Sequence, residues 1–143
     1  MVPVSFSTLT NRKIVIPSSR TNYYVVDKNH FVELMKPILK QIYVDAEWYV
    51  GFYPDIAQAI ANRVVDSAAD HYASFGYFEH RLPYPIEVDE SWYLAQYQDV
   101  RDAVAQGLFP SAHDHFYIAG YQEGRLPCAN FTLKCVADLQ HAA

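Results

Sequence analysis

The chain has 143 residues, of which 51% are hydrophobic and 19% charged, and its formal net charge is −5. This length and composition suffice for one hydrophobic core, so we expect a single domain over residues 1–143. No window of about 18 apolar residues exists to span a bilayer, and the first residues lack the basic and apolar regions of a secretory signal. We therefore expect no transmembrane segment and a cytoplasmic location.

Residues 1–26, here called the arm, are predicted to form a small β-hairpin. Runs of β-branched and aromatic residues cover 2–6, 13–16 and 23–26, and turn-forming residues at 17–22 separate the last two runs. The hairpin is expected to use 13–16 and 23–26, with 2–6 as a candidate third strand. Because a lone hairpin is marginal in water, it should lean on the helices or pair its edge with another chain.

A long helix is predicted over residues 27–43. Asp27 stands at its N-cap, and Pro37 removes a backbone donor inside it, which should kink or split the helix. Apolar residues at three-and-four spacing mark one face: Phe31, Leu34, Met35, Ile38, Leu39 and Ile42. This face is expected to pack on the segment that follows, with an interface for a partner as the alternative.

The sequence from Val44 to Pro127 is a tandem duplication. Residues 44–83, here called the first repeat, align without a gap with residues 88–127, the second repeat, and 18 of the 40 aligned positions are identical. With the linker included, the second unit covers 84–127. The tail, 128–143, has a weak amphipathic pattern that predicts a capping helix over the second repeat.

Each repeat is predicted to form three short helices. The first follows an Asp N-cap and buries a Trp-Tyr pair, and the third begins with an S-x-x-D capping box and ends at a Gly. The residues given structural roles are Trp48, Ser67, Asp70, His71 and Gly76, and in the second repeat Trp92, Ser111, Asp114, His115 and Gly120. The predicted fold class is mainly α: two tandem three-helix repeats, a preceding long helix and a small N-terminal β-hairpin.

His71 and His115 are the residues that invite a catalytic or metal-binding interpretation. Each lies one turn after its Ser among aromatic residues, which favours a buried histidine bonded to backbone. No nucleophile, H-E-x-x-H motif or Gly-rich phosphate loop accompanies them. We assign no catalytic residue, metal or cofactor, and an enzyme using these two histidines is the weakest alternative. Cys128 and Cys135 are interpreted as ordinary thiols because their spacing fits no metal site.

The candidate binding residues are a Glu-x-Arg pair and a Tyr in each repeat. They are Tyr77, Glu79 and Arg81, and Tyr121, Glu123 and Arg125. The favoured interpretation is a salt-bridge clasp, in which each Arg reaches helix carbonyls, a carboxylate such as Asp55 or Asp99, or an aromatic face. The functional alternative places the Arg and the acid on an exposed ridge that binds sugar hydroxyls.

Charge is divided unevenly along the chain. Residues 1–43 carry six basic and two acidic side chains, whereas residues 44–127 carry thirteen acidic side chains and four Arg. The arm is therefore expected to dock on the acidic repeats of its own chain or of a second copy, which would give a homodimer. A basic arm for an anionic partner is the alternative. The acidic repeats oppose nucleic-acid binding, which depends on Lys and Arg at phosphates.

The repeated pattern resembles a short tandem module of bacterial surface-polysaccharide proteins, often found beside glycosyltransferase domains. The residues that carry the resemblance are Asp89-x-x-Trp92-Tyr93-Leu94-x-x-Tyr97-x-Asp99-Val100 and His115-Phe116-x-x-x-Gly120-Tyr121-x-Glu123-Gly124-Arg125-x-Pro127. The first repeat matches as well, with His80 where the pattern has Gly. The resemblance covers 44–127 and includes no glycosyltransferase domain.

The expected function is that of a non-catalytic interaction module in bacterial surface-polysaccharide production or its regulation. Every duplicated polar residue has an adequate structural role, which favours binding of a protein partner over catalysis. A polysaccharide ligand, held by the aromatic, Arg and Glu residues of the repeats, is the main alternative.

Overall fold

The computed structural model describes residues 6–19 and 23–131, which form a mainly helical fold with a small N-terminal hairpin. The predicted fold class is confirmed. In this part of the chain, no helix is both long and apolar enough to cross a membrane. The elements outside the repeats are α1 (Phe6–Asn11), β1 (Val15–Pro17), β2 (Tyr24–Val26) and α2 (Lys28–Leu39).

The hairpin is antiparallel, and Ile16 pairs with Val25 across it. These two side chains lie opposite each other and are about half exposed, so the described part of the chain covers this face of the hairpin only in part. Phe6 begins α1 rather than ending a third strand, and residues 2–5 lie outside the described residues. The Thr10 hydroxyl donates a hydrogen bond to the Ser7 carbonyl, a contact within one helical turn that an extended strand does not allow.

Helix α2 is shorter than predicted. The Asp27 side chain caps its start by accepting hydrogen bonds from the backbone of Asn29 and His30, and Pro37 lies within its last turn without splitting it. The helix ends at Leu39 because the next backbone bonds span three residues instead of four. Its predicted inner face is only partly covered: Leu39 is buried, whereas Phe31 and Leu34 are about half exposed.

The two repeats contain the same elements in the same order. These are α3 (Ala46–Phe52), α4 (Pro54–Ala61), α5 (Ala68–His71) and a π-helical turn (Tyr72–Gly76), then α6 (Glu90–Gln96), α7 (Gln98–Ala105), α8 (Ala112–His115) and a second π-helical turn (Phe116–Gly120). The third helix of each repeat is therefore one α-turn followed by a π-turn, which the sequence did not predict. Helix α2 packs on the π-turn of the first repeat.

Each repeat closes on itself through one backbone hydrogen bond. The amide of Asp45 donates to the carbonyl of Pro83, at 3.0 Å, and the amide of Asp89 donates to that of Pro127, at 3.1 Å. These bonds join the N-cap residue of the first helix to the Leu-Pro end of the same repeat. The tail from 132 onward, where a capping helix was predicted, lies outside the described residues.

The aromatic residue at the centre of each repeat is the Tyr of the Trp-Tyr pair. Tyr49 and Tyr93 are fully buried, whereas Trp48 and Trp92 are only partly buried, so the predicted burial of the Trp-Tyr pair is complete for the Tyr and partial for the Trp. Adjacent helical positions point in different directions, and the Tyr takes the inward one. Trp48 instead packs against the cores of both repeats.

The two Trp residues differ in their neighbours. Trp48 stacks on Phe52, with ring centroids 4.8 Å apart, and its edge meets Tyr117 of the second repeat at 6.4 Å. Gln96 stands where Phe52 would be in the second repeat. The Trp48 stack therefore belongs to the junction between the repeats.

We predict that Trp48→Ala lowers the free energy of unfolding by about 2 to 4 kcal/mol, because it removes packing from two cores. Trp92→Ala serves as the matched comparison and should cost about 1 to 2 kcal/mol, because its ring packs within one repeat. Urea denaturation followed by circular dichroism measures both. Equal losses would contradict a special role of Trp48 at the junction.

Candidate functional site

The two histidines of the sequence pattern are buried and bonded to tyrosine. Tyr49 Oη and His71 Nδ1 are 3.0 Å apart and share a hydrogen bond, and Tyr93 Oη and His115 Nδ1 do the same at 3.1 Å. The histidines are only 6% and 5% exposed. The expected backbone partner is therefore wrong: the buried hydroxyl of the Tyr at the centre of each repeat takes its place.

Burial keeps these pairs uncharged. Desolvation lowers the pKa of both His71 and His115 and raises that of Tyr49. It raises the pKa of Tyr93 to about 12. A neutral imidazole against a neutral phenol is a stable buried pair, and Nδ1 of each histidine is engaged by the tyrosine hydroxyl.

Each π-turn ends at a glycine because a tyrosine hydroxyl lies too close to allow a side chain there. A Cβ on Gly76 would collide with the hydroxyl of Tyr49, and one on Gly120 would collide with that of Tyr93. Neither glycine has a positive φ, so space rather than backbone conformation demands glycine here. The Tyr, the His and the Gly of each repeat thus form one packed unit.

Each Glu-x-Arg pair forms a clasp with an Asp of the second helix. Arg81 donates two hydrogen bonds to Asp55, at 3.1 and 2.8 Å, and one to Glu79, at 2.7 Å. Its guanidinium lies over the Tyr53 ring, 4.8 Å from the centroid. This combines two of the contacts considered from the sequence, a carboxylate and an aromatic face.

The second clasp has the same geometry. Arg125 donates to Asp99 at 3.0 and 2.7 Å and to Glu123 at 2.6 Å, and it lies over the Tyr97 ring. Both Arg side chains are about one-fifth exposed. The hydrogen bonds from Arg lower the pKa of Asp55 and Asp99, so the carboxylates stay charged at neutral pH.

A left-handed residue lies between the Glu and the Arg of each clasp. It is His80, with a φ of 60°, in the first repeat and Gly124, with a φ of 73°, in the second. The reversal lets side chains two residues apart meet. His80 adopts this conformation at a steric cost that Gly124 does not incur.

The serines and aspartates of the predicted capping boxes lie at the start of the third helices. Ser67 Oγ accepts a hydrogen bond from the Asp70 amide, and Ser111 Oγ accepts one from the Asp114 amide. The Asp70 carboxylate pairs with Lys40 at 3.3 Å, whereas that of Asp114 accepts from the Ser111 hydroxyl. Ser67, Ser111 and Asp114 therefore serve the helix starts, whereas the Asp70 carboxylate pairs with a lysine that follows α2.

A groove with a volume of ≈ 450 Å³ lies between the two repeats. It brings together three of the six candidate binding residues, Glu79, Arg81 and Tyr121. Tyr77 packs on the core of the first repeat, and Glu123 and Arg125 lie in the second clasp. The groove is completed by Phe52, Tyr53, His80, Tyr117, Ile118 and Gln122.

Three polar side chains of the groove are engaged by the fold. Tyr53 Oη accepts a hydrogen bond from the Leu82 amide, and Tyr117 Oη both donates to the Ile86 carbonyl and accepts from its amide. Arg81 makes the three bonds of its clasp.

The groove also exposes two apolar side chains. Phe52 is 46% exposed and Ile118 is 67% exposed. The sequence analysis missed both residues because they stand where the repeats differ: Phe52 aligns with Gln96, and Ile118 aligns with Ser74. That difference is itself a signal, since a position that the repeat fold requires should be occupied alike in both copies.

Within residues 6–19 and 23–131, no three His, Cys, Asp or Glu side chains are grouped so as to hold a metal ion. Cys128 is a free thiol, and Cys135 lies outside the described residues.

No protein-family model, curated protein or solved structure matches this chain. The resemblance to a polysaccharide-associated module therefore stays an expectation that rests on the residues of the repeats.

We predict that Gly76→Ala lowers the free energy of unfolding by about 2 to 3 kcal/mol, because the new methyl group overlaps the Tyr49 hydroxyl. Adding Tyr49→Phe should recover part of that loss, because it removes the hydroxyl oxygen that the new methyl group overlaps. Gly51→Ala is the matched control: nothing lies near its Cβ position in α3, so it should be neutral or stabilising by about 0.5 to 1 kcal/mol. A double-mutant cycle by urea denaturation measures the coupling, and additive losses would contradict the contact.

The buried histidines also predict a loss of stability in mild acid. Their pKa values are lower in the folded protein than in the unfolded chain, where an ordinary His has a pKa of about 6.5. The unfolded chain therefore binds these protons first, and stability falls as the pH drops through about 6.5 toward the folded pKa values. The lowered pKa values of Asp55 and Asp99 act at lower pH, below about 3.9.

The test is the melting temperature between pH 7.5 and 5.0. The wild-type value should fall, and the double variant His71→Asn with His115→Asn should lose most of that pH dependence, because Asn keeps a polar atom near Nδ1 but does not titrate. His80→Asn changes an exposed histidine and is the control, since Asn tolerates the left-handed backbone there. An unchanged slope in the double variant would contradict the assignment.

Proposed function

We propose that this protein is a cytoplasmic, non-catalytic helical-repeat module that binds a protein partner in bacterial surface-polysaccharide production or its regulation. The pathway rests on the resemblance of the repeated residues. The mode of action rests on the groove between the repeats, where Tyr53, Tyr117 and Arg81 are bonded within the fold while Phe52 and Ile118 are exposed.

The chemistry of the groove supports a protein segment as its occupant. An exposed Ile beside an exposed Phe favours an apolar side chain, and burying these surfaces would contribute about 25 cal/mol per Å². The rim carries the carboxylate of Glu79, and residues 44–127 hold thirteen acidic side chains against four Arg. The partner segment is therefore apolar at its centre and basic at its flanks.

The basic arm of a second copy is one such partner, which would make the protein a homodimer. Residues 1–26 carry three basic side chains and no acidic one, and the exposed Ile16 and Val25 provide apolar side chains. A separate protein with the same chemistry is the other. Sedimentation at micromolar concentration of the full chain and of a chain lacking residues 1–26 distinguishes these two partners.

Glycan binding is the second candidate, and one observation favours it. Tyr53, Tyr117 and Tyr121 line the groove beside Arg81, and aromatic faces with charged neighbours suit sugar rings. The hydroxyls of Tyr53 and Tyr117 and the donors of Arg81 already have partners, which leaves few groups to recognise sugar hydroxyls. An enzyme built on His71 and His115 has no such support, because both imidazoles are buried against tyrosine.

The test compares the wild-type chain with Ile118→Asp in a pull-down from the native host and on a glycan array. Ile118 is 67% exposed, so the substitution should leave the melting temperature within a few degrees and reduce partner capture about tenfold or more. Leu108→Asp, at a 69% exposed residue away from the groove, is the matched control and should retain capture.

Two results would overturn the proposal. One is partner capture that Ile118→Asp and Leu108→Asp affect equally, since the groove would then not be the binding surface. The other is selective glycan binding that is lost with Arg81→Ala while no partner protein is recovered. Arg81→Ala also breaks a clasp, so its melting temperature must be measured beside its binding.

A further inference from the structure

A second cavity, with a volume of ≈ 580 Å³, lies between α2 and the first repeat. Its apolar walls include Val32 of α2, Val65 after α4, and Phe75 and Phe78 at the π-turn. Phe75 is 52% exposed. A cavity of this size and lining is suited to a small organic molecule.

Ser74 is a polar residue inside this cavity, and its hydroxyl has no partner. The residue is 8% exposed, and within the described part of the chain its Oγ makes no hydrogen bond. Buried hydroxyls without partners are rare because they lose their bonds to water without replacement.

The second repeat shows that its fold does not require this hydroxyl. Ile118 occupies the position equivalent to Ser74 and is exposed in the groove between the repeats. Ala119 and Gln122 stand in place of Phe75 and Phe78. Of the two repeats, only the first, which contacts α2, therefore combines a buried hydroxyl with two aromatic walls.

Two cationic side chains at the rim are not used by ion pairs of the fold. Lys28 and Lys36 of α2 line the cavity and, among the described residues, make no ion pair. Three acids also line it, of which Asp70 pairs with Lys40 at 3.3 Å and Glu79 shares Arg81 with Asp55. The unpaired charges are therefore two lysines and one carboxylate, that of Glu33.

We propose that this cavity binds a small amphiphilic anion. Its anionic group lies at Lys28 and Lys36, its apolar body lies between α2 and the two Phe rings, and an oxygen at its inner end bonds to the Ser74 hydroxyl. This site is separate from the groove between the repeats and does not depend on the proposed partner binding.

The test uses 8-hydroxyoctanoate, which carries a carboxylate at one end and a hydroxyl at the other. Isothermal titration calorimetry should show binding to the full chain with a Kd below a few millimolar. Octanoate, which lacks the hydroxyl, should bind about 3- to 10-fold more weakly, the usual contribution of one hydrogen bond. The uncharged 1,8-octanediol should also bind more weakly than 8-hydroxyoctanoate.

Variants separate the two contacts. Ser74→Ala should weaken 8-hydroxyoctanoate to the affinity of octanoate and leave octanoate unchanged, without lowering the melting temperature, because it deletes only an unpaired group. Lys28→Gln with Lys36→Gln should weaken both carboxylates and leave the diol unchanged. Arg101→Gln, at a half-exposed cation of the second repeat, is the charge control and should change nothing.

Absence of binding at 10 mM 8-hydroxyoctanoate would overturn the proposal, with about 10 mM taken as the weak limit of specific recognition. So would binding that is the same in Ser74→Ala and in the double lysine variant as in the wild type. Ser74→Ile, which installs the residue of the second repeat, should fill the cavity and abolish binding. Retained binding in that variant would place the ligand elsewhere.

Discussion

The contact on which each repeat depends is the buried tyrosine hydroxyl against the π-turn. In the first repeat this oxygen meets His71 Nδ1 and lies where a side chain on Gly76 would have to be. The first helix can therefore approach the third only if a histidine bonds to the hydroxyl and a glycine makes room for it. A π-turn, whose bonds span five residues, sets that histidine and that glycine on either side of the oxygen.

The same geometry explains why the shared polar residues are poor candidates for function. The Arg clasp ties the end of the repeat to its second helix, and the Asp45 amide ties its beginning to Pro83. Each of these groups is occupied by the fold in both copies. Chemistry directed at a partner is left to positions where the copies differ, and Phe52, Ile118 and Ser74 are of this kind.

The π-turn of each repeat is also the surface that receives the element before it. In the first repeat this element is α2, and in the second it is the first repeat, whose Phe52 approaches Tyr117 with ring centroids 5.5 Å apart. One surface thus produces two junctions of different chemistry. The α2 junction holds a cavity with a buried hydroxyl, and the junction between the repeats holds an open groove with an exposed isoleucine.

The amino-acid sequence is enough to predict the duplication, the helical class, the N-caps at Asp27, Ser67 and Ser111, and the candidate partners of each Arg, because these follow from local spacing and from residues that return in register. It could not determine that Tyr49 rather than Trp48 is buried, since both are aromatic neighbours on one short helix. Nor could it predict the π-turns, the groove or the unpaired Ser74 hydroxyl. Those depend on how closely separate elements approach one another, and that distance is set by tertiary packing around one buried oxygen in each repeat.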